Sequence, residues 1–119
     1  MYILYNQDGS ILKKNLPEFI QRGNNDVNEI FVSVKNRENT EWSATACFSL
    51  PDDEVVTTEP TSGELEIDGV TYTGWIVSVP STITVYQGRV YFALKLENLS
   101  DAVLCTYECP LVINYGVRN

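Results

Sequence analysis

Apolar and polar residues alternate with a period of two along much of the chain, and no sustained helical periodicity competes with that pattern. An all-β domain is predicted. In "VNEIFVSVK", Ile30, Val32 and Val34 fall on one face and Phe31, Ser33 and Lys35 on the other. "EWSATACFSL" repeats the pattern, setting Trp42, Ala44, Ala46, Phe48 and Leu50 against Ser43, Thr45, Cys47 and Ser49. Both read as half-buried strands, because side chains alternate across a pleated backbone. The polar "NRENTE" between them reads as a turn, and the two strands are expected to form a hairpin.

Turn residues punctuate the rest. "YILYNQDGSILKK" predicts a strand, a turn at Asp8–Gly9 and a return strand, since Asp-Gly supplies the positive φ angles of a tight hairpin. A second such turn, Asp68–Gly69, lies in "GELEIDGVTYTGWIVSVP", with Val70, Tyr72 and Ile76 on one side and Thr73, Trp75 and Val77 on the other. Both sides carry large residues there. "STITVYQGRVYFALKLENL" predicts a strand, a turn at Gln87–Gly88 and a return strand whose Val90, Phe92, Leu94 and Leu96 oppose Tyr91, Ala93, Lys95 and Glu97.

Two segments are less regular. "AVLCTYECPLVINYGV" reads as one long strand interrupted near Pro110, which cannot donate to a ladder and belongs at an edge or bulge. "NLPEFIQRGNND" reads equally as a short helical turn, capped by Asn15 with Pro17 in its first turn and Gly23 as its stop, or as an irregular crossing. Short strands with turn signals about every 8 to 12 residues predict a two-sheet, immunoglobulin-like antiparallel β-sandwich. A chain of 119 residues fits one such domain over one core.

Charge narrows the choice of partner. Sixteen acidic residues against eight basic give a net charge of -8, so neither nucleic acid nor an anionic membrane surface is an expected partner. "MYILYNQDGS" has no basic n-region followed by an apolar run, and no stretch approaches the roughly 18 apolar residues of a membrane span. A soluble chain that is not exported by this route is expected.

Candidate catalytic chemistry is sparse. The chain has no histidine, which removes Ser/His and Cys/His nucleophile pairs and the commonest metal ligand. Cys47, Cys105 and Cys109 lack the close pairing of a zinc knuckle. On one strand, Cys105 and Cys109 would stand about 13 Å apart at about 3.3 Å per residue, beyond the roughly 7 Å that a disulfide spans. A bond from Cys47 to either of them stays geometrically open, while the habit of free cysteine favours buried, reduced thiols and a reducing cytoplasm. No metal, cofactor or catalytic residue is assigned.

The carboxylates Asp52, Asp53, Glu54, Glu64, Glu66 and Asp68 are the remaining hydrolytic candidates. A glycosidase pair needs two carboxyls across a cleft, and a sandwich this small offers little cleft. Calcium loops alternate ligands with spacers, whereas the adjacent acids of "SATACFSLPDDEVV" diverge along an extended turn. Pro51 stops the ladder and Asp52–Asp53 are turn formers, so this stretch is read as a solvated corner. The aromatics Phe31, Trp75, Tyr86 and Tyr91 lie opposite or ambiguous to the core phase of their strands. They are the candidate partner interface, since aromatic residues are enriched in contacts.

Taken in order, "IQRGNNDVNEIFVSV", "WSATACFSLPDDE", "STITVYQGRVYFALKL" and "TYECPLVINYGV" resemble the N-terminal domain of phage baseplate upper proteins, from tailed phages and prophages of Gram-positive bacteria. Gly23, Phe48, Pro51, Asp52, Gly88, Val90, Phe92, Leu94, Val112 and Gly116 occupy the matching positions, from about Ile20 onward in strand order. Asp53 departs from the pattern, because the family often has glycine there. The chain also stops at Asn119, where members usually continue into a linker, which reads as a domain of a longer chain or as a short relative.

The resemblance implies a structural, non-enzymatic module of the virion's tail baseplate. Such a module would be made in the host bacterial cytoplasm and pack as a homo-oligomer with other tail proteins and the receptor-binding protein. The alternative from the residues themselves is a stand-alone glycan-binding or adhesin-type sandwich, with Trp75, Tyr86 or Tyr91 stacking on sugar rings.

Overall fold

The computed structural model describes residues 1–16, 20–21, 29–80, 88–98, 100 and 102–114. The strands are β1 (Tyr2–Tyr5), β2 (Ile11–Asn15), β3 (Ile20–Gln21), β4 (Glu29–Val34), β5 (Trp42–Ser49) and β6 (Val55–Thr58), followed by β7 (Thr61–Ile67), β8 (Val70–Ser78), β9 (Gly88–Asn98), β10 (Val103–Cys105) and β11 (Cys109–Asn114). No helix occurs among the described residues. One sheet has the order β2-β1-β4-β8-β7, the other β3-β11-β9-β5-β6, with β10 also paired to β9. The two sheets form a β-sandwich. Most pairs are antiparallel, but β1 runs parallel to β4 and β3 parallel to β11.

The inward phase of β4, β5 and β9 is the one their alternation dictates. Ile3 and Tyr5, then Ile30, Val32 and Val34, then Trp75, Val77 and Val79 line the first sheet's inner face. Ala46, Phe48 and Leu50 with Val90, Phe92, Leu94 and Leu96 line the second. Phe48 and Phe92 are register partners across β5 and β9, with ring centroids 5.3 Å apart and planes tilted by 53°. Both are fully buried, so this ring pair forms the centre of the second sheet's contribution to the core.

Both Asp-Gly pairs lie in turns, but only Asp68–Gly69 is the tight hairpin expected; at β1–β2 the link runs from Asn6 to Ser10 and Asp8 does not take a positive φ. Gly9 takes φ 91°, and at the β7–β8 turn Asp68 and Gly69 take 53° and 83°, the left-handed pair of a two-residue hairpin. Pro51 to Glu54 makes the β5–β6 corner: Asp53 N–H donates to the Leu50 carbonyl at 3.0 Å and Leu50 N–H to the Glu54 carbonyl at 2.8 Å. Asp53 sits at φ 69°, the conformation for which glycine is the usual choice.

Two expectations are corrected. First, β4 and β5 are not a hairpin. β4 pairs with β1 and β8, and β5 with β6 and β9, so the polar link from Asn36 to Glu41 carries the chain from one sheet to the other. Two strands with the same apolar phase can face one another across a core as readily as they can lie side by side, and the crossing buries Val32 and Phe48 from opposite layers. Second, the last strand breaks at Thr106–Glu108 rather than at Pro110. Thr106 bridges the break: its N–H donates to the Leu94 carbonyl at 2.9 Å and its hydroxyl accepts the Leu94 N–H at 2.8 Å. Pro110 lies inside β11 opposite Tyr91, at a level where β3 does not reach. Asn15 is the last residue of β2, paired with Tyr2. Pro17 and Gly23, like the strand expected before Gly88, lie outside the described residues.

The β7–β8 hairpin does not lie flat. The β4–β8 ladder ends at Val32–Trp75, and beyond it β8 pairs only with β7. A Cβ on Gly74 would collide with the Val32 carbonyl oxygen, so the glycine lets the two backbones touch where the ladder stops. From there the hairpin folds over the sheet's outer face: Ile67, near its tip, is buried with Leu4 and Phe31, and partly buried Tyr2, Tyr72 and Ile76 close around them.

Gly74→Ala is expected to destabilise the domain by about 2 kcal/mol, the scale of forced overpacking. Phe48→Ala should cost about 3–5 kcal/mol. Urea unfolding monitored by tryptophan fluorescence measures both, and a neutral Gly74→Ala would contradict the close approach.

Candidate functional site

The four aromatics predicted to face a partner separate in the structure. Trp75 belongs to the inner core and is 3% exposed. Phe31 does point to the outer face, yet it is 6% exposed, because the folded-over hairpin covers it. Neither side chain presents surface for a partner or a sugar, which corrects their placement at an interface. Tyr86 lies outside the described residues. Tyr91 alone of the four is described and exposed, at 38%.

Tyr91 stands on the outer face of the second sheet. Strand register aligns Pro110, Tyr91, Ser49 and Val55 in one row across β11, β9, β5 and β6. The next row holds Ala93, Cys47 and Thr57, and the one after it Cys105, Lys95 and Thr45. Small, weakly polar side chains therefore make up most of this face. Its charges within the paired rows are Lys95 and Glu97, which meet at 3.9 Å, and Arg89 beyond Tyr91. In a chain of net charge -8, that is an open and nearly neutral surface with three exposed apolar side chains, Val55, Tyr91 and Val103.

The first sheet offers a concave surface instead. An open groove of about 460 Å³ lies where β4 and β8 part, between the hairpin and the upper ends of β1, β2 and β4. Leu4, Leu12, Val70 and Tyr72 supply its apolar wall, and Lys35, Arg37 and Glu38 stand at the β4–β5 link. The Arg37 guanidinium sits 4.8 Å from the centre of the Trp42 ring, and its Nη2 donates to the Gln7 carbonyl at 3.3 Å. Its Nε is buried with no acceptor among the described residues. Lys13 Nζ and Asp68 Oδ2 form a 2.8 Å ion pair that ties β2 to the hairpin tip. The bond holds the Asp68 carboxyl below its ordinary pKa and raises that of Lys13.

The carboxylate candidates do not converge. Asp52, Asp53 and Glu54 are exposed at the β5–β6 corner, Glu64 and Glu66 are exposed along β7, and Asp68 is held by Lys13. Among the described residues, no three of His, Cys, Asp and Glu are grouped to hold a metal ion. The three cysteines are free thiols; Cys109 is buried, Cys47 is half-buried and Cys105 is exposed. Burial raises the thiol pKa of Cys47 and of Cys109. In the core, burial also pushes the Tyr5 phenol well above its ordinary value, with the Thr106 side chain partly offsetting it.

The groove was not picked out from the sequence, although one signal for it was present: large residues on both faces of "VTYTGWIV" mark a strand covered on two sides. Comparison with protein-family models, with curated proteins and with solved structures finds no match to this chain.

Two measurements check these placements. With a thiol reagent on the folded protein, Cys105 is expected to react first, Cys47 more slowly and Cys109 only on unfolding; early labelling of Cys109 would contradict the packing of β11. In an NMR titration, the Asp68 carboxyl should titrate at lower pH than it does in a Lys13→Ala variant. A carboxyl with a depressed folded pKa stabilises the fold at neutral pH and loses that contribution as pH falls through the folded value. The Lys13–Asp68 tie is thus expected to weaken in acid, and equal midpoints in the two proteins would show that it does not form.

Proposed function

We propose that this chain is a structural, non-enzymatic module of a phage tail baseplate, an immunoglobulin-like sandwich that packs with copies of itself and with neighbouring tail proteins. The receptor-binding protein is among those neighbours, and the module is made in the host bacterial cytoplasm before it enters the virion. The ordered segments that resemble the N-terminal domain of baseplate upper proteins support this reading. The observation that carries it is the open, nearly neutral outer face of the second sheet on which Tyr91 is exposed. Surfaces of this kind exclude water well when a complementary surface closes on them, and an exposed aromatic supplies an anchor. The acidic remainder of the chain keeps unpaired copies soluble and apart until a complementary face arrives.

The glycan-binding alternative loses its main stacking residue, since Trp75 is enclosed in the core. Tyr91 is its remaining described candidate.

Light scattering across a concentration series tests the proposal. A defined oligomer is expected, and Tyr91→Glu should weaken its assembly at least about tenfold, the effect of losing an interface anchor, while leaving thermal unfolding unchanged. A protein that stays monomeric at every concentration, alone and with a tail-protein extract, would overturn the reading. Glycan-array binding that disappears in Tyr91→Ala would turn it toward the alternative.

A further inference from the structure

The edges of the two sheets are not equally protected. In the first sheet, edge strands β2 and β7 each carry two charged residues, Lys13 and Lys14 on one, Glu64 and Glu66 on the other. Charges on an edge discourage a further strand from pairing there. β6, the edge of the second sheet next to β5, reads Val55-Val56-Thr57-Thr58, four β-branched residues in a row with no charge, proline or glycine among them. Such a run has high strand propensity.

The ladder sets which backbone groups of β6 face outward. β6 pairs with β5 alone among the described strands, and Leu50 N–H donates to the Glu54 carbonyl at 2.8 Å. In an antiparallel pair the N–H and C=O of one residue point the same way, and successive residues alternate. Glu54, Val56 and Thr58 therefore bond toward β5, while the N–H and C=O of Val55 and Thr57 point away from the sheet, where no described residue bonds them. Val55 is 60% exposed and Thr57 is exposed as well, so this edge is open to solvent.

Both ends of the edge are acidic. Asp52, Asp53 and Glu54 precede the run and Glu59 follows it, all four exposed. The cations of the same outer face, Arg89 and Lys95, lie on β9 with β5 in between, about 10 Å from the edge at about 4.8 Å per strand. Lys95 already meets Glu97. The charge at the edge is thus negative, as is that of the whole chain. A second copy is a poor occupant, because a two-fold axis at Val56 that bonds Val55 to Thr57 of the other copy also sets Asp53 against Glu59 at both ends. Like charges placed opposite one another destabilise a strand pair.

We infer that the β6 edge receives an extended segment of a partner protein, four β-branched or apolar residues between basic ends. It adds as a strand beside Val55–Thr58, with a Lys or Arg side chain at each end against Glu54 and Glu59. These two carboxylates stand about 17 Å apart along the strand at about 3.3 Å per residue, which fits that length of segment. Backbone bonds to Val55 and Thr57 supply the pairing, and the acidic ends supply the selection. The inference concerns the edge of the sheet and holds whether or not the Tyr91 face assembles copies.

The test uses two end-blocked eight-residue peptides, each a Val-Thr-Val-Thr core with two lysines, or two glutamates, at either end. They are titrated into the isotope-labelled protein while amide hydrogen exchange is followed by NMR. The lysine peptide should slow exchange at the Val55 and Thr57 amides about tenfold or more, leave Val56 and Thr58 unchanged, and bind about tenfold or more tightly than the glutamate peptide. Glu54→Lys with Glu59→Lys, both at exposed positions, should remove that preference without changing thermal unfolding. Thr57→Pro, which deletes an outward N–H where an edge accepts proline, should abolish binding while the Val56 and Thr58 amides stay protected. Three results would overturn the inference: unchanged Val55 and Thr57 amides at millimolar peptide, equal binding of the two peptides, or protection of those amides that grows with protein concentration in the absence of peptide, which would make the occupant a second copy.

Discussion

The close passage of β8 over the Val32 carbonyl, possible because residue 74 has no side chain, is the constraint on which the first sheet depends. A side chain there would force β4 and β8 apart earlier and leave the hairpin standing out from the sandwich. With glycine, the ladder runs to Val32–Trp75, stops, and lets β7–β8 turn over the outer face. That fold-back buries Phe31, Leu4 and Ile67 in a second small core outside the main one. Burial of three such side chains contributes several kcal/mol, at about 1.5–3 kcal/mol each before the cost of ordering the hairpin. The Lys13–Asp68 pair sits at the margin of this cluster; both partners are exposed, so it aligns the tip more than it stabilises it.

The second sheet is organised differently. Its inner face is a single apolar layer centred on Phe48 and Phe92, and its outer face is left open. β9 is the organising strand, pairing along its length with β5 on one side and with β10 and β11 in succession on the other. The change from β10 to β11 is bridged by Thr106, while the adjacent Tyr107 N–H donates to the Gly9 carbonyl at 2.9 Å and so ties the β1–β2 turn of the first sheet to the second. A Cβ on Gly9 would stand 3.1 Å from the Cys105 carbonyl oxygen and from the Thr106 Cα, so this glycine serves both a positive φ and a close approach.

Much of this was legible from alternation and turn chemistry. Strands β4, β5 and β9, their inward residues, both Asp-Gly turns and the solvated Asp52–Glu54 corner follow from local pattern, because those features are set by the pleat and by φ preference. What failed to be legible was nonlocal. Nothing in "NRENTE" distinguishes a hairpin from a link between layers, since both need a polar reversal and only the global pairing decides. Phe31 looked exposed because alternation reports the face of a strand and not what later folds onto that face. Trp75 was read by the same rule, but β8 carries large residues on both faces, and there the phase alone does not tell core from surface. The break at Thr106 was hidden because a threonine that substitutes its hydroxyl for a backbone partner looks, in sequence, like an ordinary strand residue.

The two outer faces therefore differ in kind: one is open, the other is folded in and leaves a groove walled by Leu4, Leu12, Val70 and Tyr72. The central claim is the fold-back of the β7–β8 hairpin, and nuclear Overhauser contacts in solution test it most directly. The account predicts contacts from the Ile67 methyls to the Phe31 ring and the Leu4 methyls, together with a cross-strand Val32–Trp75 contact as the last of the β4–β8 ladder. A ladder that continues from Ser33 and Val34 onto Gly74 and Thr73, with the Phe31 ring free of any contact to Ile67, would contradict it.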